Sequence, residues 1–247
     1  MMRATALEFR LRMWLMAAVI TIGFWSPWIE WLHLGPRGTA WLWLSFELGK
    51  LGVAPGLAIQ LVTAGMVLLA AIAAALRLWG TAYLGAVTVG HAEMQAGRVM
   101  ADGPYQRVRN PLYLGSFFMV AALAALMPAS GAVFTLVVLM IFLLRLILGE
   151  EAFLTAKLGA PYEAYKKAVP RLIPSLRPRV PAAGNRPDWG RAMLHEVMPL
   201  GLLAIFAVLS WEYNAWLLTR AVLVCFGLSL VAKALAMPRQ GAAPHSV

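Results

Sequence analysis

The chain has 247 residues, of which 61% are hydrophobic and only 13% charged, and its mean hydropathy is +0.73. That balance excludes a soluble domain of this length and places the chain in a bilayer. The formal net charge of +10 raises nucleic acid as a partner, but Lys and Arg fall mostly in loops beside apolar runs, so the basicity is read as membrane orientation and contact with anionic lipid, with no nucleic acid expected. A lone Cys225 and the scattered His33, His91, His195 and His245 support neither a disulfide framework nor a metal site.

In chain order, Arg3, Arg10 and Arg12 precede the first apolar run, about 13–32. Trp14, Trp25, Pro27 and Trp28, with no small-x-small cleavage pattern, make this a retained membrane helix rather than a secretory leader. Trp41, Trp43 and Phe46 beside Glu47 and Lys50 fit an interfacial segment and a plain loop equally well. Further apolar runs lie at about 53–79, 112–127, 131–149, 194–210 and 214–236. The expected fold is therefore all-α, a multi-pass integral membrane bundle of about six transmembrane helices. Residues 112–127 would form a helix of roughly 24 Å against about 30 Å of hydrocarbon, and Met127-Pro-Ala-Ser-Gly131 supplies a tight turn. The two runs thus form a helical hairpin that returns the chain from Asn110 to the face where Glu150 and Glu151 lie. The stretch 171–191, rich in Pro, Arg and Gly, reads as a surface loop.

Three parts follow: 1–75 with the first helices, 76–175 as the catalytic core, and 176–247 as a basic linker with a two-helix membrane unit. With six crossings, the basic groups before the first run, between the second and third, and between the fourth and fifth share one face, expected to be cytoplasmic; for a bacterial protein the membrane would be the inner one.

Polar residues are concentrated in Gly103-Pro-Tyr-Gln-Arg-Val-Arg-Asn-Pro-Leu-Tyr-Leu-Gly115. Pro111 suits the first turn of a helix with Asn110 as its N-cap, and Tyr105 and Tyr113 suit an aromatic belt. Glu150 and Glu151 point about 100° apart on a helix, so only one faces the bundle. If that is Glu151, Leu154 and Leu158 continue its stripe, and Glu150 turns toward solvent or Arg145. Two acids where a helix C-terminus disfavours them imply that the helix runs on or that a cation sits there. Arg145, within an apolar run, needs an acidic partner or a route to the interface. Gly159 and Pro161 mark the next boundary, after which Tyr162 and Tyr165 share a helical face.

The three blocks GPYQRVRNPLYLG, EE and LGAPYEAYKKAVP occur in order. They resemble the isoprenylcysteine carboxyl methyltransferases and related phospholipid methyltransferases, whose pattern reads approximately G-x-Y-x-x-x-R-H-P-x-Y-x-G, E-E, F-G-x-x-Y-x-x-Y-x-x-x-V-P. The similarity covers about residues 76–175. It implies a membrane enzyme that uses S-adenosylmethionine as cofactor and a lipid or isoprenoid-like acceptor. By position, Tyr105, Asn110, Pro111, Leu112 and Tyr113 would contact the cofactor, with Gly97, Arg98, Val99 and Met100 lining its pocket. Glu151 would hold its polar end, Arg109 would orient the loop or a substrate anion, and Arg109, Asn110 and Glu151 would form the catalytic set. Arg145, Tyr162 and Tyr165 would meet the substrate. The family's His is Asn110 here, which hydrogen-bonds but does not exchange protons near neutral pH. The arginine that the family places shortly before its acids has no counterpart in register.

Two other functions fit membrane helices. A sterol-reductase-type enzyme using NADPH needs cations for phosphates, and the basic 166–191 stretch offers some. A transporter needs charges along a central pathway, whereas these cluster at one edge, and no inverted repeat is visible.

Overall fold

The computed structural model describes residues 3–34, 37–84 and 101–236, and among these every regular element is helical. Gly97, Arg98, Val99 and Met100 lie outside the described residues. The first helix, α1 (Ala6–Arg10), starts at a capping box: the Thr5 side chain accepts from the Glu8 amide and the Glu8 carboxylate accepts from the Thr5 amide. α2 (Arg12–Trp25) ends where Ser26 takes left-handed backbone before Pro27, and the one-turn α3 (Trp28–Trp31) follows. α4 (Ala40–Lys50) is capped by Thr39, which accepts from the Leu42 amide. It buries Trp41, whose indole donates to Thr63 at 3.0 Å, and exposes Leu42, Trp43, Leu44 and Phe46. Of the two readings of this segment, a helix with an apolar outer face is the one that forms.

α5 (Pro55–Leu84) is Ala- and Leu-rich and runs for 30 residues. At 1.5 Å per residue it measures roughly 45 Å and outreaches about 30 Å of hydrocarbon. After a 3-10 turn over Gly103–Gln106, α6 (Pro111–Ala124) and α7 (Ala129–Leu158) form the expected hairpin. α7 passes straight through Glu150 and Glu151, nine residues beyond the end of its apolar run. α8 (Ala160–Ala168) turns off at Gly159, whose φ of +62° and ψ of −137° suit glycine alone. After an irregular stretch come α9 (Trp189–His195), α10 (Val197–Leu209) and α11 (Ala215–Ala236).

All six apolar runs are helical, but not all have spanning length. Four stretches, Arg12–Trp31, Pro55–Leu84, Ala129–Leu158 and Ala215–Ala234, are long and apolar enough to cross a membrane, and α9 with α10, bent by 72°, makes a fifth when counted as one broken span. α6, at 14 residues, is the exception to the expected six. Its length of roughly 21 Å falls short of the hydrocarbon. The missing depth is filled by α4, whose Ala40 and Trp41 amides donate to the carbonyls of Met127 and Ala125 at the hairpin tip.

Trp41, Met66, Leu123, Leu202, Phe206 and Leu218 form the main core, where α4, α5, α6, α10 and α11 meet. A second cluster, Phe9, Val120, Leu139, Leu143 and Leu146, joins the N-terminal helices to the hairpin. α5 and α6 pack so closely that a Cβ on Gly80 would lie 2.8 Å from Leu112 Cδ2. These contacts bring the start of α6, the end of α7, the end of α5 and the N-terminus to one end of the bundle.

Candidate active site

Glu151 is the centre of this end. It sits on the inward face of α7, 5% exposed, with Leu154 and Leu158 continuing the stripe onto Tyr162, Tyr165 and Val169. Two guanidiniums reach it. Arg109 Nη2 lies 3.0 Å from Glu151 Oε1, and Arg171 donates through Nη2 at 2.8 Å and through Nε at 3.2 Å. Glu151 hydrogen bonding raises the pKa of Arg171 above its ordinary value. A carboxylate this deeply buried is tolerated because it is paired and hydrogen-bonded. Both sequence explanations for acids at this point hold together: the helix runs on, and cations sit there.

Asn110 occupies the N-cap position of α6, but its side chain caps nothing. The amide instead donates to the Arg171 carbonyl at 3.1 Å and to Glu151 at 3.5 Å, so the expected capping hydrogen bond is given up for contact across the site. Pro111 at the first helical position lacks an N–H, so the turn opens with one unpaired donor fewer. Glu150 also departs from expectation. It accepts from the Tyr113 hydroxyl at 2.9 Å, because 100° around α7 from Glu151 lies the flank facing α6 rather than solvent or Arg145. Arg145 points the other way, to Glu8 of α1 at 2.9 Å, so the structure does not bring it to Glu151.

The motif loop is packed from below by tyrosines. Tyr165 donates to the Tyr105 carbonyl at 2.8 Å, and the Tyr162 and Tyr165 rings lie 5.9 Å apart. Burial pushes the pKa values of Tyr105, Tyr162 and Tyr165 upward, so all three remain neutral phenols under physiological conditions. Gly103, at φ +56°, lies so close to α5 that a Cβ would fall 2.4 Å from the Tyr83 ring.

A strap formed by 170–185 lies antiparallel against the motif loop. In order, the Arg109 amide donates to the Pro170 carbonyl, Ser175 to that of Arg107, Arg179 to that of Gln106, and Gly184 and Asn185 to the buried carboxylate of Asp102. Burial works to raise the Asp102 pKa, but hydrogen bonds from Asn185 and Gly184 outweigh it and leave the carboxyl below its ordinary range. Beside the strap opens a cavity of about 330 Å³ lined by Arg109, Lys166, Lys167, Arg171 and Arg179. Arg109 Nε is buried and has no hydrogen-bond partner among the described residues.

The blocks that sequence reading singled out therefore converge: Tyr105, Arg109, Asn110 and Tyr113 meet Glu150, Glu151, Tyr162 and Tyr165. Residues 53–160 match the phospholipid methyltransferase family. The match begins at the foot of α5 and stops before Tyr162, so it takes in all of α5, the motif loop and the hairpin, and supports a membrane methyltransferase. No curated protein and no solved structure matches the chain.

Four polar residues of this end were not among the site residues read from the sequence. Arg171 directly follows Val169-Pro170 of the third block, and that adjacency was its signal. Asp102 carried none beyond its place beside Gly103. Arg77 and Glu196 are an ionisable pair set in apolar runs, where a charge is costly enough to mark a site.

Proposed function

We propose that the chain is an integral membrane methyltransferase that takes its methyl group from S-adenosylmethionine and passes it to an oxygen or nitrogen of a lipid-like or isoprenoid acceptor. The observation that carries this reading is the buried Glu151 held between Arg109 and Arg171, at the point where the three motif blocks meet. The residues fit the cofactor's polar end. Its carboxylate finds Arg109 Nε, a buried donor without a partner among the described residues, beside a cavity lined with cations. Its amine finds an acceptor in Glu151, which also sets both guanidiniums.

When bound, the cofactor supplies an electrophilic methyl group on a positive sulfonium. The protein's task is to hold the acceptor in line with it and to exclude water. Tyr105 and Asn110, Pro111, Leu112 and Tyr113 surround the cofactor in this reading, and Tyr162 and Tyr165 form the wall of the site. Arg109, Asn110 and Glu151 are the polar centre. The neutral Tyr105 phenol and Asn110 offer hydrogen bonds without moving protons. The acceptor enters from the bilayer, and the cofactor from the cytoplasmic side, where the basic residues collect.

Calorimetry in detergent tests the assignment. Glu151→Ala leaves two guanidiniums facing each other and should abolish binding of S-adenosylmethionine; unchanged affinity would overturn the assignment. Thermal stabilisation of the wild type by NADPH, with none by S-adenosylmethionine, would favour a reductase instead.

A further inference from the structure

A second buried ionic cluster lies outside the site and joins the matched segment to the part of the chain beyond it. Glu196 is 1% exposed and stands at the break between α9 and α10. It accepts from Arg77 Nε at 2.6 Å and Nη2 at 3.0 Å, and from the Thr81 hydroxyl at 2.6 Å. Arg77 and Thr81 are four apart on α5 and share a face. The remaining guanidinium nitrogen, Arg77 Nη1, reaches α6, donating to the Ser116 hydroxyl at 2.7 Å and approaching the Leu112 carbonyl at 3.5 Å. Ser116 in turn donates to the Leu112 carbonyl at 2.9 Å.

The approach is close by construction. A Cβ on Gly115 would lie 2.6 Å from Arg77 Cγ, so glycine is what lets the guanidinium pass along α6. A buried ion pair is a poor source of stability, since apolar replacements of similar volume are often neutral. Fixing a geometry is a better account of it. The geometry fixed is that of Leu112 and Ser116, on the turns that carry Asn110, Pro111 and Tyr113 into the site.

We infer that Glu196, through Arg77 and Ser116, positions the first turns of α6 and so makes the C-terminal helices a working part of the active site. These are positioning residues, and the effect on catalysis rests on the methyltransferase reading. Without Glu196, Arg77 loses the carboxylate that directs it, and the start of α6 shifts or frays. The C-terminal helices would then act on the site without contributing a residue that touches cofactor or acceptor.

The experiment uses the full chain in detergent with Glu196→Gln, which keeps the shape and removes the charge, and Ser116→Ala, which keeps the ion pair and removes its shorter hydrogen bond to α6. Backbone amide exchange over 110–116 should quicken about fivefold in both, with exchange elsewhere in α6 unchanged. The KM for S-adenosylmethionine should rise about tenfold while kcat changes less than about twofold. Glu196→Asp, keeping the charge, should recover part of the loss. Wild-type exchange over 110–116 in Ser116→Ala overturns the inference, even if Glu196→Gln is impaired, because the pair would then act on the fold and not through α6. Failure of Ser116→Ala to fold overturns it as well. If exchange changes as expected but the wild type transfers no methyl group, the positioning stands and the methyltransferase reading falls.

Discussion

Around Glu151 the polar groups are supplied from two separate stretches: Arg109 and Asn110 from the loop before α6, Arg171 from the strap after α8. Removing Glu151 leaves the buried Arg109 without its carboxylate, whereas Arg171 retains access to solvent. Asn110→Ala deletes a donor shared between Glu151 and the Arg171 carbonyl and should cost about 1–2 kcal/mol, read as a lower thermal midpoint in detergent. Asn110→His keeps a ring N–H within reach of the same acceptors and should lose less than the alanine variant; an equal loss would mean that the amide contact contributes nothing. Arg109, Asn110 and Glu151 stood out in the sequence as candidates because their spacing is that of a recognisable motif, with Asn in place of its His. Arg171 did not, because what identifies it is a contact with Glu151 from 20 residues away, and no local pattern encodes that meeting. Asn110 shows the opposite limit: its local context spelled an N-cap, and the buried carboxylate nearby competed successfully for its side chain.

At the scale of elements, the decisive contact is between α5 and α6. Gly80 faces Leu112, and Gly115 faces Arg77 and the Ala73 carbonyl, at distances that leave no room for a side chain. Gly115→Ala places a methyl group 2.6 Å from Arg77 Cγ and 3.2 Å from that carbonyl. The helices must separate or Arg77 must move, at a cost of about 1–3 kcal/mol, and cofactor affinity should fall with the thermal midpoint. Helix positions were readable from apolar runs because a run of that length has few alternatives to a membrane helix. Their effective lengths were not. α7 gains nine polar-flanked residues because Glu151 finds cations and Leu154 and Leu158 find the tyrosine cluster, and tertiary partners of that kind leave no trace in hydropathy.

Across the whole molecule, the strap and the motif loop form a latch whose last fastening is Asp102. Its pKa is lower in the folded protein than in the unfolded chain, so the stabilisation is complete at neutral pH, begins to fade as the pH falls to the ordinary carboxylate value, and is lost once it drops below the depressed one. Cleavage by an acid-tolerant protease within 177–186 should therefore accelerate on acidification. Asp102→Ala should be cleaved readily at neutral pH and lose that dependence; resistance equal to wild type would show that the backbone contacts of Arg107 and Gln106 suffice. The loop was visible in the sequence as a Pro- and Arg-rich interval. Its function as a strap was not, since four separate pairings with 102–109 create it.

The short hairpin also bears on how the protein enters its membrane. Met127 is fully enclosed, Trp28 donates to Ser130 at 2.9 Å, and the start of α4 is hydrogen-bonded to the tip, so the turn between α6 and α7 is partly covered by protein. The turn Met127-Pro-Ala-Ser-Gly131 carries no charge, so it adds no ionic cost to insertion. The tip is thereby shielded by its own neighbours, and a cysteine placed at Pro128 should react more slowly with membrane-impermeant maleimides, applied from either side, than one placed at the exposed Trp14.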